Sequence, residues 1–506
     1  MNKTLSKTSY LQGLKCSKFM WLNKHMKTVM DPISTGDIAR IETGKDIGKL
    51  ARQLFQNGVL VPDSIFDVEE RVTYTSDLIN SGIETIFEAT FSFNNVQVRI
   101  DILNKVADGY EIYEVKSKKW TKKLNTSQKA IKELIDDISI QYYVLNGLGI
   151  NVTETFLTCL DGEYVRDESI KVNKIFKNIS TTEEVIKLQD SIPKNIELFI
   201  NTLDSGENPD FKICSGCSKC SYKKYCWQDM PEFPVFSLLT ISKKAFELYD
   251  KDIKAVEDIP DDYEFTSEAK KFIRDHWKNK TELFINSDKV NEALAKLRYP
   301  LFHLDFETFQ SQVPIYKDTS PGQIIPFQYS LHIEEKNNTL IHKEYLAERP
   351  SIDPREDLIC NLIKHMQGDS SVVVYSNYEA STLQRLADEF PQYANELISI
   401  KNRIWDLAEI FQKRHIYFYQ LKTKYSLKDV MPILVPKMST KYLDLKESGS
   451  VSFGEEASNA FIQLMTERDK TVVDSIREGL LEYCKLDTES MVESLRAVID
   501  LNSSKG

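Results

Sequence analysis

The sequence predicts an α/β protein in three parts: a domain over residues 1–230, a helical connector over 231–298 and a second domain over 299–506. Three observations carry this reading. At 506 residues the chain is too long for one ordinary hydrophobic core, and 41% apolar content suffices for more than one. Residues 98–116 alternate apolar and polar side chains on either side of Asp108-Gly109, the pattern of an antiparallel hairpin, and a helical apolar repeat follows. A second group of apolar strands begins at PLFHLDFETF, after a stretch whose spacing is mostly helical.

Composition narrows the setting. No apolar run is long enough to span a bilayer, and the opening MNKTLSKTSYLQGLKC lacks the continuous apolar core of a signal peptide, so a cytoplasmic protein with no membrane partner is expected. The net charge of -11 argues against indiscriminate coating of nucleic acid but leaves room for a locally basic channel. Lys15, Lys18, Lys24 and Lys27, and then Lys116, Lys118, Lys119, Lys122 and Lys123, are either phosphate contacts or a solvated lysine face.

Taken in order, the chain opens with LSKTSYLQGLKCSKFMWLNKH, where Cys16 precedes a Trp-Leu pair. That stretch resembles the start of a bacterial family of unknown function, DUF2779. In the hairpin, Val98, Ile100 and Ile102 alternate with Arg99 and Asp101, and the alternation resumes through Tyr110, Ile112 and Glu114-Val115-Lys116. Asp101 and Glu114 brought together make a hard oxygen site for Mg²⁺ or Mn²⁺, with Lys116 on the face of Glu114 to stabilise developing charge. Thr126 is a cap for the next helix, where Ile131, Leu134, Ile135 and Ile138 recur at helical spacing up to Gly147, and Gln141 lies on it. An acid-x-Lys tripeptide alone is common on solvated strands; the succession of hairpin and helix gives it weight.

These residues resemble the PD-(D/E)xK nuclease superfamily in its RecB-like branch, which includes nucleases of CRISPR adaptation. The resemblance implies a restriction-endonuclease-like fold in which Asp101, Glu114 and Lys116 are catalytic and Asp101 and Glu114 hold the metal. Two departures stand out. The branch carries Gly-x-x-x-His upstream, where GKDIG has Gly48, and Gln-x-x-x-Tyr on the helix, where the residue four beyond Gln141 is Leu145. Glu88, in IFEATF, is a candidate replacement ligand.

Four of the eight cysteines crowd into ICSGCSKCSYKKYCW. In a cytosolic protein such spacing binds Zn²⁺ or an iron–sulfur cluster more often than it forms disulfides. The arrangement resembles the 4Fe-4S staple of RecB-like nucleases, whose first cysteine precedes the core and whose other three follow it. On that resemblance Cys16, Cys220 and Cys226 are ligands, with Cys214 and Cys217 competing for the fourth place. A zinc site of Cys214, Cys217, Cys220 and Cys226 is the alternative, leaving Cys16 a buried thiol. Cys159, Cys360 and Cys484 read as core cysteines.

Residues 231–298 carry helix caps and acidic turns but no dense catalytic cluster. Beyond them, Asp305 and Glu307 leave one face of an apolar strand two residues apart, followed by strands IIPFQYSLHIEE and TLIHKEYLA, a helix from Leu358 to Met366, the strand SVVVYSN and a helix from near Glu379. The order and motifs resemble the ribonuclease-H-like fold of DEDD exonucleases: Asp305 and Glu307 match the first motif, Asn377-Tyr378-Glu379 the second with glutamate for the usual aspartate, and Tyr483 and Asp487 the tyrosine-bearing third. The resemblance implies that Asp305, Glu307, Glu379 and Asp487 hold two divalent ions and that Tyr483 orients water, with Asp406 and Lys428 as supporting candidates.

The combined expectation is a nuclease with two active sites: an N-terminal domain that cleaves DNA and a C-terminal domain that degrades nucleic acid 3′ to 5′. The alternative is a nucleic-acid-binding protein with a decayed N-terminal site and an RNA-processing exonuclease domain. DNA is the expected substrate, with RNA open, since no residue reads a 2′-hydroxyl. A helicase or a defence system is an open partner.

Overall fold

The computed structural model describes residues 4–121, 128–214, 216–348, 350–447, 451 and 454–504. Lys122, Lys123 and Thr126, singled out above, lie outside the described residues. The chain divides into two mixed α/β units: Met1–Gln228 with Ser311–Gln323, and Asp229–Gln310 with Ile324–Gly506.

The first unit opens with a short strand β1 (Leu5–Ser6) and two helices, α1 (Lys7–Lys15) and α2 (Ser17–His25). Ser6 caps α1 by accepting from the Ser9 N–H, which fixes the first helical residue, Lys7. Cys16 is the extended residue between the two helices. Helix α3 (Thr35–Arg52) follows, capped by Ser34. The sheet runs β2 (Val59–Leu60), β3 (Thr85–Phe93), β4 (Val96–Val106), β5 (Gly109–Trp120), β6 (Val152–Asp161), β7 (Phe176–Ser180), with β1 parallel to β4 at Leu5 and Val96. β4 and β5 are the expected antiparallel hairpin, turning at Val106 and Gly109. Helix α4 (Gln128–Gly147) lays Leu134, Ile135, Ile138 and Val144 against Ile100, Leu103, Ile112 and Leu157 of the sheet. Leu145 is fully buried in that core, so the helical position that carries a tyrosine in the resembled branch is here committed to packing.

In the second unit, residues 231–298 are not set apart: their strand β8 (Phe284–Ile285) pairs antiparallel with β14 (Ile416–Tyr417). Between these lies a five-stranded sheet of β9 (Leu301–Ser311), β10 (Gln323–Glu334), β11 (Leu340–Leu346), β12 (Val372–Val374) and β13 (Ile404–Asp406) in the order β11-β10-β9-β12-β13. β12 is parallel to both β9 and β13. Phe302, Leu304 and Phe306 of β9 pack into a core with α5 (Arg355–His365) and α6 (Tyr378–Glu389). Helices α7 (Leu427–Leu434), α8 (Pro436–Glu447) and the 34-residue α9 (Lys470–Ser503) follow β14 in the chain. Among the described residues no helix is long and apolar enough to cross a membrane.

Candidate active sites

In the first unit the register that pairs Ile102 with Tyr113 sets Asp101 beside Glu114, as the hairpin spacing predicts. Asp101 Oδ2 accepts the Val115 N–H at 2.7 Å. Glu114 is only 2% exposed and receives three donors: Lys116 Nζ at 2.7 Å, Lys7 Nζ at 3.2 Å and Gln141 Nε2 at 2.6 Å. Asp137, on the face of α4 that carries Gln141, accepts from Lys116 at 2.5 Å and from Lys7 at 3.0 Å. Burial pushes the Glu114 carboxyl up, but Lys116 and Lys7 overcome it and hold Glu114 well below the carboxylate range. At Asp101 the same lysines do not overcome burial, which together with the Glu114 charge lifts it to about 7.

The gap at Gly48 has a structural answer. One helical turn later on α3, Arg52 reaches Glu88 Oε1 at 2.7 Å, while Arg99 Nε meets Glu88 Oε2 at 2.5 Å. Glu88 lies between the pairs Phe87–Ile102 and Ala89–Ile100, level with Asp101, and takes a positive φ of 59° there, a conformation that a non-glycine residue rarely adopts. The candidate replacement ligand is thus neutralised by two arginines.

Cys16 lies close enough to Cys217, Cys220 and Cys226 for its charge to act on all three, which brings the remote N-terminal thiol to the later cluster. Cys214 Sγ is 3.3 Å from Cys217 Sγ, and the Cys214 N–H donates to that same sulfur at 3.1 Å. Burial pushes the Cys217 thiol up to about 12 and Cys226 to about 11, with the neighbouring cysteines adding to it. Of the three isolated cysteines, Cys159 and Cys484 are buried, whereas Cys360 is exposed on α5 with its sulfur 3.5 Å from the Tyr393 hydroxyl. The core reading fails for Cys360 because it occupies the outer face of an amphipathic helix. Besides Lys116, two more of the lysines marked as phosphate candidates are engaged within the unit: Lys15 with Glu133 at 3.5 Å, and Lys18 with Asn208 at 2.8 Å and the Pro209 carbonyl at 2.7 Å.

In the second unit β9 delivers Asp305 and Glu307, α6 Glu379 in its first turn, and α9 Tyr483 and Asp487 one turn apart. Burial raises all four carboxylates, and neighbouring acids add to it at Asp305, Glu307 and Glu379. Asp305 is pushed well above the carboxylate range by burial and then by Asp487, Glu307 and Glu379. Glu307 reaches about 8 through burial and Asp487, and Glu379 about 8 through burial and Asp406. Among the described residues Glu379 Oε2 is buried with no hydrogen-bond partner. Asp406 accepts the N–H groups of Ser376 and Ala408, each at 2.9 Å. Lys428 Nζ donates to the Tyr483 hydroxyl at 2.9 Å and lowers Glu307 and Asp487. Tyr442 of α8 donates a short hydrogen bond to Asp487 Oδ1 and lies 3.2 Å from Ser490 Oγ. Asp305, Glu307 and Cys484 place ligand atoms within 4.8 Å of one another.

Residues 302–426 match the family described as a domain of unknown function, DUF2779. The match takes in Asp305, Glu307, Glu379 and Asp406 and ends before Tyr483 and Asp487; the opening stretch around Cys16, which prompted the same comparison, lies outside it. An uncharacterized protein of Mycoplasma genitalium, MG366, is 23% identical over 454 residues, or 86% of this chain, and the chain spans 62% of that protein's length.

Sequence reasoning missed Lys7, Asp137 and Tyr442. Asp137 had a signal, since it stands four residues before Gln141 and therefore on the same helical face. Lys7 and Tyr442 had none, because each reaches its carboxylate across a long loop of chain: 107 residues from Lys7 to Glu114 and 45 from Tyr442 to Asp487.

Proposed function

We propose that the protein is a metal-dependent nuclease whose second unit degrades nucleic acid from the 3′ end. The observation that carries this is the convergence of four carboxylates, Glu307 and Glu379 buried and Asp305 and Asp487 partly buried, with Lys428 as the cation that lowers Glu307 and Asp487. Buried like charges are costly unless a partner compensates them, and the partnerless Glu379 Oε2 is the donor-poor arrangement that suits a divalent cation. The residues therefore fit Mg²⁺ or Mn²⁺, held by Asp305, Glu307, Glu379 and Asp487. Bound there, such ions supply Lewis-acid activation of the phosphodiester and of the attacking water. The chain's own groups do the rest: the Tyr483 hydroxyl, fixed by Lys428, positions water, and the carboxylates exclude other donors. The strand order β11-β10-β9-β12-β13, with acids on β9 and on the long C-terminal helix, supports a ribonuclease-H-like DEDD reading.

For the first unit the same proposal assigns DNA cleavage to Asp101, Glu114 and Lys116 in a PD-(D/E)xK-type site, on the juxtaposition of Asp101 and Glu114. A second reading, a first unit that binds nucleic acid without cutting it, is favoured by one observation: both Glu114 oxygens already receive protein donors. Cys16, Cys220 and Cys226, with Cys214 or Cys217, are proposed to hold a 4Fe-4S cluster; the approach of Cys16 to the later thiols supports it over a zinc site built from the later four alone.

The test is digestion of end-labelled single- and double-stranded DNA and RNA with Mn²⁺, comparing wild type, Asp305→Ala, Lys116→Ala and the double variant. A 5′-labelled ladder shortening from the 3′ end and lost in Asp305→Ala is expected. Cleavage unchanged in that variant removes the second-unit assignment, and residual cleavage unaffected by Lys116→Ala removes the first-unit one.

A further inference from the structure

We propose that Asp305, Glu307 and Cys484 form a binding site for a soft divalent ion, Zn²⁺ or Cd²⁺, which displaces Mg²⁺ or Mn²⁺ from the carboxylates they share. The inference rests on the reading of Asp305 and Glu307 as metal ligands and adds a ligand of different chemistry.

Cys484 follows Tyr483 on α9 and is completely buried. Its Sγ donates to Asp305 Oδ2 at 3.7 Å, and the ligand atoms of Asp305, Glu307 and Cys484 all lie within 4.8 Å of one another. A tetrahedral zinc ion has metal–sulfur bonds of about 2.3 Å and metal–oxygen bonds of about 2.0–2.2 Å, which sets adjacent ligand atoms about 3.5 Å apart. The group closes on such an ion by side-chain adjustments of about an ångström. A second, independent feature points to an ion at this place: Glu379 is 3% exposed, its Oε2 has no hydrogen-bond partner among the described residues, and its charge acts on both Asp305 and Glu307.

The selectivity follows from ligand hardness. Mg²⁺ and Mn²⁺ take oxygen ligands and leave the thiol protonated, donating to Asp305, whereas thiolate sulfur is a preferred partner of Zn²⁺ and Cd²⁺. On binding a soft ion the Cys484 S–H bond breaks, the proton leaves to solvent, and the sulfur electron pair forms the metal–sulfur bond; nothing is oxidised or reduced. The same two carboxylates cannot then serve the hard ions.

The experiment uses the full chain, wild type and Cys484→Ser, titrated with Cd²⁺ while thiolate-to-metal charge-transfer absorbance and bound metal are measured. Displacement of Mn²⁺ by Zn²⁺ is followed in parallel by electron paramagnetic resonance. The cysteines near Cys16 contribute equally to both proteins, so the difference isolates Cys484. Loss of one bound equivalent and its absorbance in Cys484→Ser is expected, with the Zn²⁺ concentration that displaces Mn²⁺ rising at least about 100-fold, beyond what loss of an outer-sphere partner costs. Equal equivalents and equal absorbance in the two proteins overturn the proposal. If Cys484→Ser does not fold, Cys484→Ala and Asp305→Asn take its place and are each expected to lose that equivalent. An equivalent lost in Cys484→Ser, together with a wild type that cleaves nothing with any metal, leaves this site standing and removes the nuclease reading. Mn²⁺-dependent cleavage with identical Zn²⁺ displacement in both proteins does the reverse.

Discussion

Glu114 and Glu307 are both carboxylates on β-strands, 2% and 7% exposed, and their surroundings treat them in opposite ways. Around Glu114 the acids are met by cations: Lys7 and Lys116 serve Glu114 and Asp137, and Arg52 and Arg99 serve Glu88, while Asp101 is raised to about 7. Around Glu307 the neighbours are more acids, and Lys428 faces Glu307 and Asp487. Apart from Asp101, the first cluster is matched by ion pairs, which offset much of its desolvation. The second is stable only with a bound cation or with protons in its place. An arrangement that weakens the metal-free fold persists where it supplies a function, which is why the second cluster carries the catalytic proposal.

The largest expected effect breaks the second cluster. Asp305→Asn removes a charge at the point where Asp487, Glu307 and Glu379 all act. Metal activation contributes several kcal/mol to phosphodiester cleavage, so 3′-end degradation is expected to fall about 10³-fold. The metal-free melting temperature should rise at the same time, because a buried repulsion is relieved. A drop in both activity and metal-free stability would mean that Asp305 is a structural acid, and the contrast between the clusters would collapse.

Removing a partner from the first cluster should do the opposite. Lys116→Ala leaves Glu114 and Asp137 sharing Lys7, and breaking a buried pair from one side costs about 3–5 kcal/mol. In thermal or denaturant unfolding this appears as loss of the first unit's stability. Assayed in the Asp305→Asn background, the same variant reports whether Lys116 also serves cleavage: a stability loss with no change in residual activity favours a binding unit.

How much of this was legible follows from where each residue sits in the chain. The hairpin could be read because alternation and Asp108-Gly109 are local signals, and the pairing of Ile102 with Tyr113 follows from the turn. Asp305 and Glu307, two residues apart on one strand, were likewise visible. What could not be read is who neutralises whom: Lys7, Arg52 and Tyr442 reach their carboxylates through tertiary folding, with no spacing rule to announce them. The assignment of Ser311–Gln323 to the first unit, between two strands that belong mostly to the second, has no local signature either.

Acidity separates the clusters next. Glu307 and Glu379 titrate near 8 and Asp305 well above its usual range, all raised by burial first, so the folded state prefers them protonated. Their contribution to stability is therefore full below the ordinary carboxylate range and is lost as pH rises through about 8. Glu114 is lowered, so its contribution is present above its ordinary value and is lost on acidification. Asp101, raised to about 7, opposes Glu114 within the first unit, which makes a variant comparison necessary. Melts in EDTA between about pH 6 and pH 9 should show a loss on the order of a few kcal/mol, at about 1.4 kcal/mol per pKa unit, that Glu379→Gln flattens and excess Mn²⁺ abolishes. Identical pH profiles for wild type and Glu379→Gln would place the pH-dependent stability elsewhere.

The smallest expected effect concerns how Asp487 is aimed. Tyr442 donates to Asp487 Oδ1, and Tyr483 also hydrogen-bonds that carboxylate, so two phenols from different helices hold one acid. Tyr483 is in turn fixed by Lys428, whereas Tyr442 hydrogen-bonds to Asp487 and Ser490 of α9. Tyr442 therefore acts on the metal through the orientation of its ligand, and outer-sphere partners of this kind change metal affinity by about 10–100-fold when lost. Tyr442→Phe keeps the ring that Lys428 overlies at 5.4 Å and removes only the hydroxyl. The expected outcome lies at the lower end of that range, an approximately tenfold rise in the Mn²⁺ concentration for half-maximal activity, about 1.4 kcal/mol, with the rate at saturating Mn²⁺ little changed. Tyr483→Phe should instead lower the saturated rate, by about 10²–10⁴-fold if its hydroxyl positions the attacking water. A Tyr442→Phe variant that loses saturated rate while keeping its Mn²⁺ requirement would reverse the two roles and make Tyr442, from a helix that no motif marks, the residue that meets the substrate.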